Sequence, residues 1–165
     1  MDITPMPPTT GAYFKAQKIM FFALITGLVF FFIAALLLRQ TGSFPDDFPY
    51  RNWLLVFIIV FAPLCIAGGV LIFNRRLTAI REMSSLAEKL SAYREAIIIR
   101  YTTMEAPSFF AIIAYLLTGS IIFPGIGLAL IAWFFMMKPS IDKIAEDLAL
   151  NPEEKMKLEN PDSAI

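Results

Sequence analysis

Uncharged apolar residues occur in three long runs along the chain, and the polar residues are concentrated between them. The first run covers 19–38 and has twenty consecutive residues without a charge. The second covers 54–73, and the third covers 104–137 with an interruption at Gly119 and Ser120. A hydrocarbon core about 30 Å thick requires about 20 residues of helix to cross it. Apolar and polar residues do not alternate along these runs, as they would in the strands of a β-barrel. The pattern therefore predicts membrane-spanning helices.

The Gly-Ser pair divides the third apolar region, because these residues favour a turn between two helices. We place span three at 98–118 and span four at 121–137, after spans one and two at 19–38 and 54–73. The expected fold class is an all-α integral membrane protein with four transmembrane helices. The bundle would cover residues 1–138, and residues 139–165 would form a short helical tail.

The polar segment between spans two and three has the three-and-four spacing of amphipathic helices. Ser85 followed by Glu88 indicates a capping box, so a break is expected near residue 84 and a new helix from about Leu86. Spans two and three would then extend beyond the bilayer as an antiparallel hairpin over about 75–97. A helix lying on anionic lipid is the alternative, because five basic side chains in this segment could meet headgroups.

Basic residues are distributed unevenly between the two sides that four spans would create. Two precede span one, six lie in 75–100 and four follow residue 137, so twelve of fourteen fall on one side. The positive-inside rule makes that side cytoplasmic. Both termini and the hairpin are therefore expected inside, in a multi-pass protein of the bacterial cytoplasmic (inner) membrane.

Composition excludes several classes of chemistry. The chain is 58% hydrophobic and has 14 basic and 14 acidic residues. It therefore has no net positive charge that would favour binding to nucleic acid. It has one cysteine and no histidine, which removes disulfides and the commonest metal ligand and general base. Asp46 and Asp47 are interpreted as a solvated turn rather than a cation site. No enzyme activity, metal or cofactor is expected.

Glu105 is the one acidic residue predicted deep within a span. With Thr118 at the outer edge, a span of about 20 residues places Arg100 near the inner edge of the membrane and Glu105 about 10 Å inside that edge. A carboxyl group there is costly unless it is paired, hydrogen-bonded or protonated. Tyr101 and Ser108 lie one turn before and after it. Arg100 is about 140° away around the helix and is not a natural partner. These four residues form the candidate intramembrane charge or proton site.

Besides a lipid headgroup site, two interpretations of Glu105 remain open. In the first, it is a structural group that ties span three to Tyr101, Lys18 or the Arg75-Arg76 end of span two. In the second, it is a protonatable group of a minor proton or ion conductor or transporter. Span one has no charge between Lys18 and Arg39, which counts against a conducting path.

Prolines and small residues mark expected helix distortions and close approaches. Proline removes a backbone donor and tends to kink a helix, and glycine lets two helix backbones come together. The residues expected to have these roles are Pro63, Gly68, Gly69, Pro107 and Pro124.

The segment K-L-x-x-Y-x-x-A-x-I-I-R at 89–100, followed by Glu105-x-Pro107, resembles a group of small bacterial four-span integral membrane proteins. The resemblance covers about the second half of the chain. It implies a location in the bacterial cytoplasmic membrane and implies no activity. Ala106 stands where that group would place glycine.

The tail after Pro139 and Ser140 predicts two short helices, the second starting at Asn151 and Pro152. Residues 159–165 would be a frayed end. The expected function is a structural, accessory or interaction subunit. Its partners would be the lipid bilayer, a protein bound through the hairpin or the tail, or a second copy in a homo-oligomer.

Overall fold

The computed structural model describes residues 9–42, 44 and 48–165, which leaves the Asp46-Asp47 pair outside the described residues. The all-α class is confirmed, and one isolated antiparallel bridge between Thr9 and Ala164 is the only strand-like pairing among these residues. The six helices are α1 Thr10–Gln40, α2 Arg51–Arg81, α3 Leu86–Thr118, α4 Ile122–Met136, α5 Ile141–Asp147 and α6 Pro152–Glu159.

The predicted breaks between helices are confirmed, and local side-chain chemistry explains them. The Ser85 side chain accepts a hydrogen bond from the backbone N–H of Glu88 at the start of α3. Gly119 ends α3 in the left-handed conformation with φ 64, which suits glycine at this position. Asn151 and Glu154 form a reciprocal capping box at the start of α6. These interactions are local, so they could be recognised from spacing alone.

Three of the helices are long and apolar enough to cross a membrane, as expected of a multi-pass membrane protein. They are α1, α2 and α3, with 31, 31 and 33 residues. Helix α4 is apolar but has only 15 residues, fewer than the about 20 that a straight span requires. The predicted fourth span at 121–137 is therefore a shorter helix than the sequence pattern indicated.

Helix α3 is central and packs against α1, α2 and α4. The rings of Phe21, Tyr101 and Phe134, from α1, α3 and α4, pack at tilted or edge-on angles with centroids 5.3–5.5 Å apart. Helix α2 packs mainly against α3, and its Phe73, Leu77 and Ile80 belong to the same buried core. The four helices therefore form one bundle around α3.

The long helices define two ends of the molecule. At one, the loop end, the Arg39 guanidinium donates a hydrogen bond of 3.3 Å to the Leu116 carbonyl, so the C-terminal ends of α1 and α3 lie together. At the other, the tail end, α5 and α6 cover the bundle. Ile144, Leu148 and Leu158 are buried there with the apolar stripe of the hairpin. Helix α4 leads from the loop end back to the tail end.

The last residues are not the frayed end expected from their sequence. The backbone N–H of Thr10 donates to the Ser163 carbonyl at 3.1 Å, and that of Gly11 donates to the Pro161 carbonyl at 3.0 Å. Amides in the first turn of a helix have no partner within the helix. The C-terminal segment supplies carbonyls to two of them, so it is ordered by pairing with the start of α1.

Candidate functional site

Tyr101 and Ser108 lie on buried faces of α3 within the helical bundle. Tyr101 is fully buried between Phe21 and Phe134. Ser108 is also fully buried, and its hydroxyl donates a long hydrogen bond of 3.4 Å to the Met104 carbonyl within the same helix. Both side chains therefore serve the packing and local bonding of α3, and neither contacts Glu105 by a hydrogen bond.

Glu105 is half-buried at the seam between α3 and α1. Tyr101 and Phe109 lie one turn before and one turn after it in α3. Their rings pack at tilted angles against Phe21 and Phe31 of α1, with centroids 5.3 and 5.2 Å apart. Within the described structure, the carboxyl group of Glu105 forms no hydrogen bond or ion pair. The expected tie to Tyr101, Lys18 or the Arg75-Arg76 pair is therefore not observed.

Arg100 points toward α2 rather than toward Glu105. Its guanidinium carbon lies 4.6 Å from the centroid of the Phe73 ring, within the range of a cation–π interaction. Its Nε is buried without a hydrogen-bond partner. The separation of about 140° expected for residues five apart on a helix accounts for the two directions. The candidate site thus divides between the two faces of α3.

The glycines and prolines have different roles in the structure. Gly69 is buried against Thr103 of α3, whereas nothing lies within 4 Å of a Cβ built at Gly68. The expected close approach therefore occurs at Gly69, and Gly68 faces open space. Pro63 and Pro107 lie inside continuous helices, Pro63 on an exposed face of α2 and Pro107 buried.

Pro124 does not have the kinking role expected for it. It is the third residue of α4, in the first turn of that helix. The backbone amides of the first turn have no acceptor within the helix, so a proline there removes no hydrogen bond. Pro124 is buried and contributes to packing at the start of α4.

The most connected polar cluster lies at the tail end, between the hairpin and the tail helices. The Lys89 ammonium is 2.8 Å from a Glu154 carboxylate oxygen, and these side chains are only 9% and 14% exposed. Tyr93 donates to the Asp147 carboxylate at 2.9 Å. The Arg81 guanidinium donates to the Asp147 backbone carbonyl at 2.8 Å. We call these five residues the tail clamp, because they attach α5 and α6 to the hairpin.

A second polar chain lies inside the bundle next to the tail clamp. Gln17 donates to the Tyr13 hydroxyl at 3.0 Å, and that hydroxyl donates to the Leu90 carbonyl at 2.9 Å. The Gln17 residue is 2% exposed, and its side-chain oxygen has no partner. Helix α1 is thereby connected to α3 at the level where the tail docks.

Sequence reasoning did not assign a role to most of the tail clamp. Lys89 and Tyr93 belong to the segment that carries the family resemblance, but Asp147 and Glu154 looked like ordinary exposed residues of short helices. A periodicity signal was present, since Lys89 and Tyr93 are one turn apart and lie on the apolar stripe of the hairpin. A lysine and a tyrosine on such a stripe require polar partners when the stripe is covered.

The tail clamp should loosen in acid. The hydrogen bond from Lys89 lowers the pKa of Glu154 below its ordinary value of 4.5. A carboxyl group with a lowered pKa in the folded state contributes stability above its ordinary pKa, and that stability is lost as the pH falls through the lowered pKa. We expect hydrogen exchange at the amides of α6 to accelerate below about pH 4. The variant Glu154→Gln should lack this pH-dependent step, and a step of equal size in that variant would contradict the assignment.

The described residues contain no group of three or more histidine, cysteine, aspartate or glutamate side chains able to hold a metal ion. Of the buried polar residues, Thr10 and Lys89 bond to other segments of the chain, whereas Gln17, Ser108 and Thr118 bond within their own helices. Comparisons with protein-family models, with curated proteins and with solved structures find no match to this chain.

Proposed function

We propose that this chain is a four-span protein of the bacterial cytoplasmic membrane that acts as an accessory subunit. In this proposal another membrane protein binds the outer face of α2 and its extension into the hairpin. The observation that carries the proposal is the one-sided packing of α2. Of its eighteen most apolar consecutive residues only 17% are buried, compared with 22% for α1 and 44% for α3.

The four-span topology is supported by the position of the two ends of the chain. Three crossings by α1, α2 and α3 would leave residue 119 on the side opposite the start of α1. The tail pairs with Thr10 and Gly11, which supports a return of α4 across the bilayer. Its 15 residues span about 22 Å, and local thinning or adjacent residues can accommodate such a short helix. Reporter fusions at residue 165 and within 82–85 should both report the cytoplasm, and an external signal at either position would refute this topology.

The exposed surface of α2 is extensive for a helix with one main neighbour. Trp53, Val56, Ile59, Leu64 and Leu71 are each between 56% and 74% exposed. Beyond the apolar region, Arg75 and Arg76 continue along α2 and are also exposed, with Arg76 3.9 Å from Glu95. A partner helix lying along α2 would therefore contact apolar side chains in the bilayer and charged ones outside it.

Site-specific photo-crosslinking in cells tests this proposal. A benzophenone amino acid at Leu64 of α2, 65% exposed, should give a discrete adduct with a protein of another mass. The matched control is Phe30 of α1, 74% exposed, which should give lipid adducts only. Lipid adducts alone at both positions would refute the accessory role. An adduct of twice the mass of this chain at Leu64 would also refute it, because it would identify a homodimer.

A proton or ion conductor is the second candidate, and the unpaired carboxyl group of Glu105 favours it. The aromatic packing of Phe21, Tyr101 and Phe134 beside Glu105 fills the interior and argues against an open path. Under the accessory proposal, proteoliposomes of the purified protein should show no proton flux above empty vesicles with a pH-sensitive dye. A flux that Glu105→Gln abolishes and Glu95→Gln retains would replace the accessory proposal with the conductor.

A further inference from the structure

One flank of α1 near the tail end borders a shallow, open groove of about 730 Å³, and its described lining comes from α1 alone. In the described part of the chain its polar end is formed by Lys15 and Lys18, and its apolar length by Ile19, Phe22, Ala23 and Thr26. These residues recur at three-and-four spacing, so they form one continuous stripe along the helix. The apolar part belongs to the first predicted span, and the lysines lie immediately outside it.

The two lysines are available to a ligand. Both are exposed, and neither forms an ion pair with any described residue. The Lys18 ammonium lies 4.4 Å from the centroid of the Phe14 ring, so this aromatic ring holds one positive charge beside the groove. The groove therefore combines two exposed cations with an apolar stripe on the same helix face.

The length of the groove matches one leaflet of a bilayer. Lys15 and Thr26 are eleven residues apart, and a rise of 1.5 Å per residue separates them by about 16 Å along the helix. Half of a hydrocarbon core about 30 Å thick is about 15 Å. A molecule with its charge at the lysines and an acyl chain along Ile19 and Phe22 would thus end near the middle of the membrane.

We propose that this groove binds one anionic diacyl phospholipid. Its phosphate lies between Lys15 and Lys18, and one acyl chain follows the apolar stripe to Thr26. A free phosphate would leave the apolar stripe uncovered, and a zwitterionic lipid carries a compensating positive charge next to its phosphate. A partner helix would not require two cations at the membrane surface.

Native mass spectrometry of the full chain in neutral detergent tests the proposal. Phosphatidylglycerol should bind more tightly than phosphatidylcholine of the same acyl chains. A lysine near an anionic lipid surface contributes about 1 kcal/mol, or roughly a fivefold change in affinity. The double variant K15Q/K18Q should therefore bind phosphatidylglycerol about 25-fold more weakly. The matched control is Lys138→Gln, since Lys138 is also exposed at the tail end but does not line the groove.

A second variant separates the acyl chain from the headgroup. Ala23→Trp places a bulky ring on the apolar stripe while both lysines remain, and it should weaken phosphatidylglycerol binding as well. Glycerophosphoglycerol, the deacylated phosphodiester with the same single negative charge, should not displace the lipid. The proposal is overturned if K15Q/K18Q binds like the original chain, if Lys138→Gln loses as much affinity, or if glycerophosphoglycerol competes. These outcomes are independent of crosslinking at α2, so the accessory role and the lipid site can fail separately.

Discussion

Replacing Lys89 with methionine is expected to lower the free energy of unfolding by about 3 kcal/mol and to release the tail helices from the hairpin. The Lys89 and Glu154 side chains are 2.8 Å apart and nearly buried. Removing one partner of such a pair leaves the other charge uncompensated in a poorly solvated place. Thermal unfolding in detergent gives the loss of stability, and limited proteolysis after residue 139 gives the release of the tail.

Lys155→Met is the matched control for this prediction. Lys155 lies in α6 like Glu154, but its pairs with Asp142 and Glu159 are longer, at 3.6 and 3.8 Å, and Asp142 is 87% exposed. Exposed pairs contribute little, so a change below about 1 kcal/mol is expected. The double variant K89M/E154M should recover part of the loss, because two apolar side chains leave no buried charge. Equal losses in Lys89→Met and Lys155→Met would show that the buried pair does not hold the tail.

Replacing Gly69 with alanine is expected to push α2 away from α3 and to cost about 2 kcal/mol. A Cβ at Gly69 would overlap the Thr103 hydroxyl oxygen and lie only 2.9 Å from the Thr103 Cβ. Rotation of the threonine could move its hydroxyl but not its Cβ, which is fixed to the backbone of α3. The helices must therefore separate, and the loss should appear as a lower unfolding temperature in detergent.

Gly68→Ala supplies the control, because the neighbouring glycine has nothing within 4 Å of the same added atom. Alanine favours a helix over glycine by up to about 1 kcal/mol, so this variant should be neutral or more stable. In a Thr103→Ala background, the cost of Gly69→Ala should fall, since the overlapping oxygen is absent. A Gly69→Ala protein as stable as Gly68→Ala would refute the close contact between α2 and α3.

The helix ends were predictable because their signals are local. The Ser85 cap, the left-handed Gly119 and the capping box at Asn151 depend on residues within four positions of one another. Helical periodicity also fixes the angles between side chains around the helix axis, so Tyr101 and Ser108 could be placed near Glu105 on α3 from the sequence. The helices that pack against this side of α3 could not be predicted, because apolar helices present similar surfaces to lipid and to protein.

The partners of polar side chains far apart in the chain could not be predicted. Lys89 and Glu154 are 65 residues apart, and Tyr93 and Asp147 are 54 apart. Nothing local marks Asp147 as an acceptor for a tyrosine. Likewise, the C-terminal residues looked frayed because their own sequence forms no element. Their carbonyls become ordered only because the first turn of α1 has amides without partners.

The sequence by itself determined that this protein is helical and apolar enough for a membrane, because hydrophobic length, periodicity and capping act over short distances. It also identified Glu105 as a residue whose carboxyl group is energetically unfavourable within a membrane span. Only the tertiary structure decided that α2 packs mainly against α3, that the Arg100 guanidinium lies over the Phe73 ring, and that the tail helices cover one end of the bundle. Those features depend on the rotation of each helix about its axis and on contacts between distant segments, which the pattern of apolar residues does not specify.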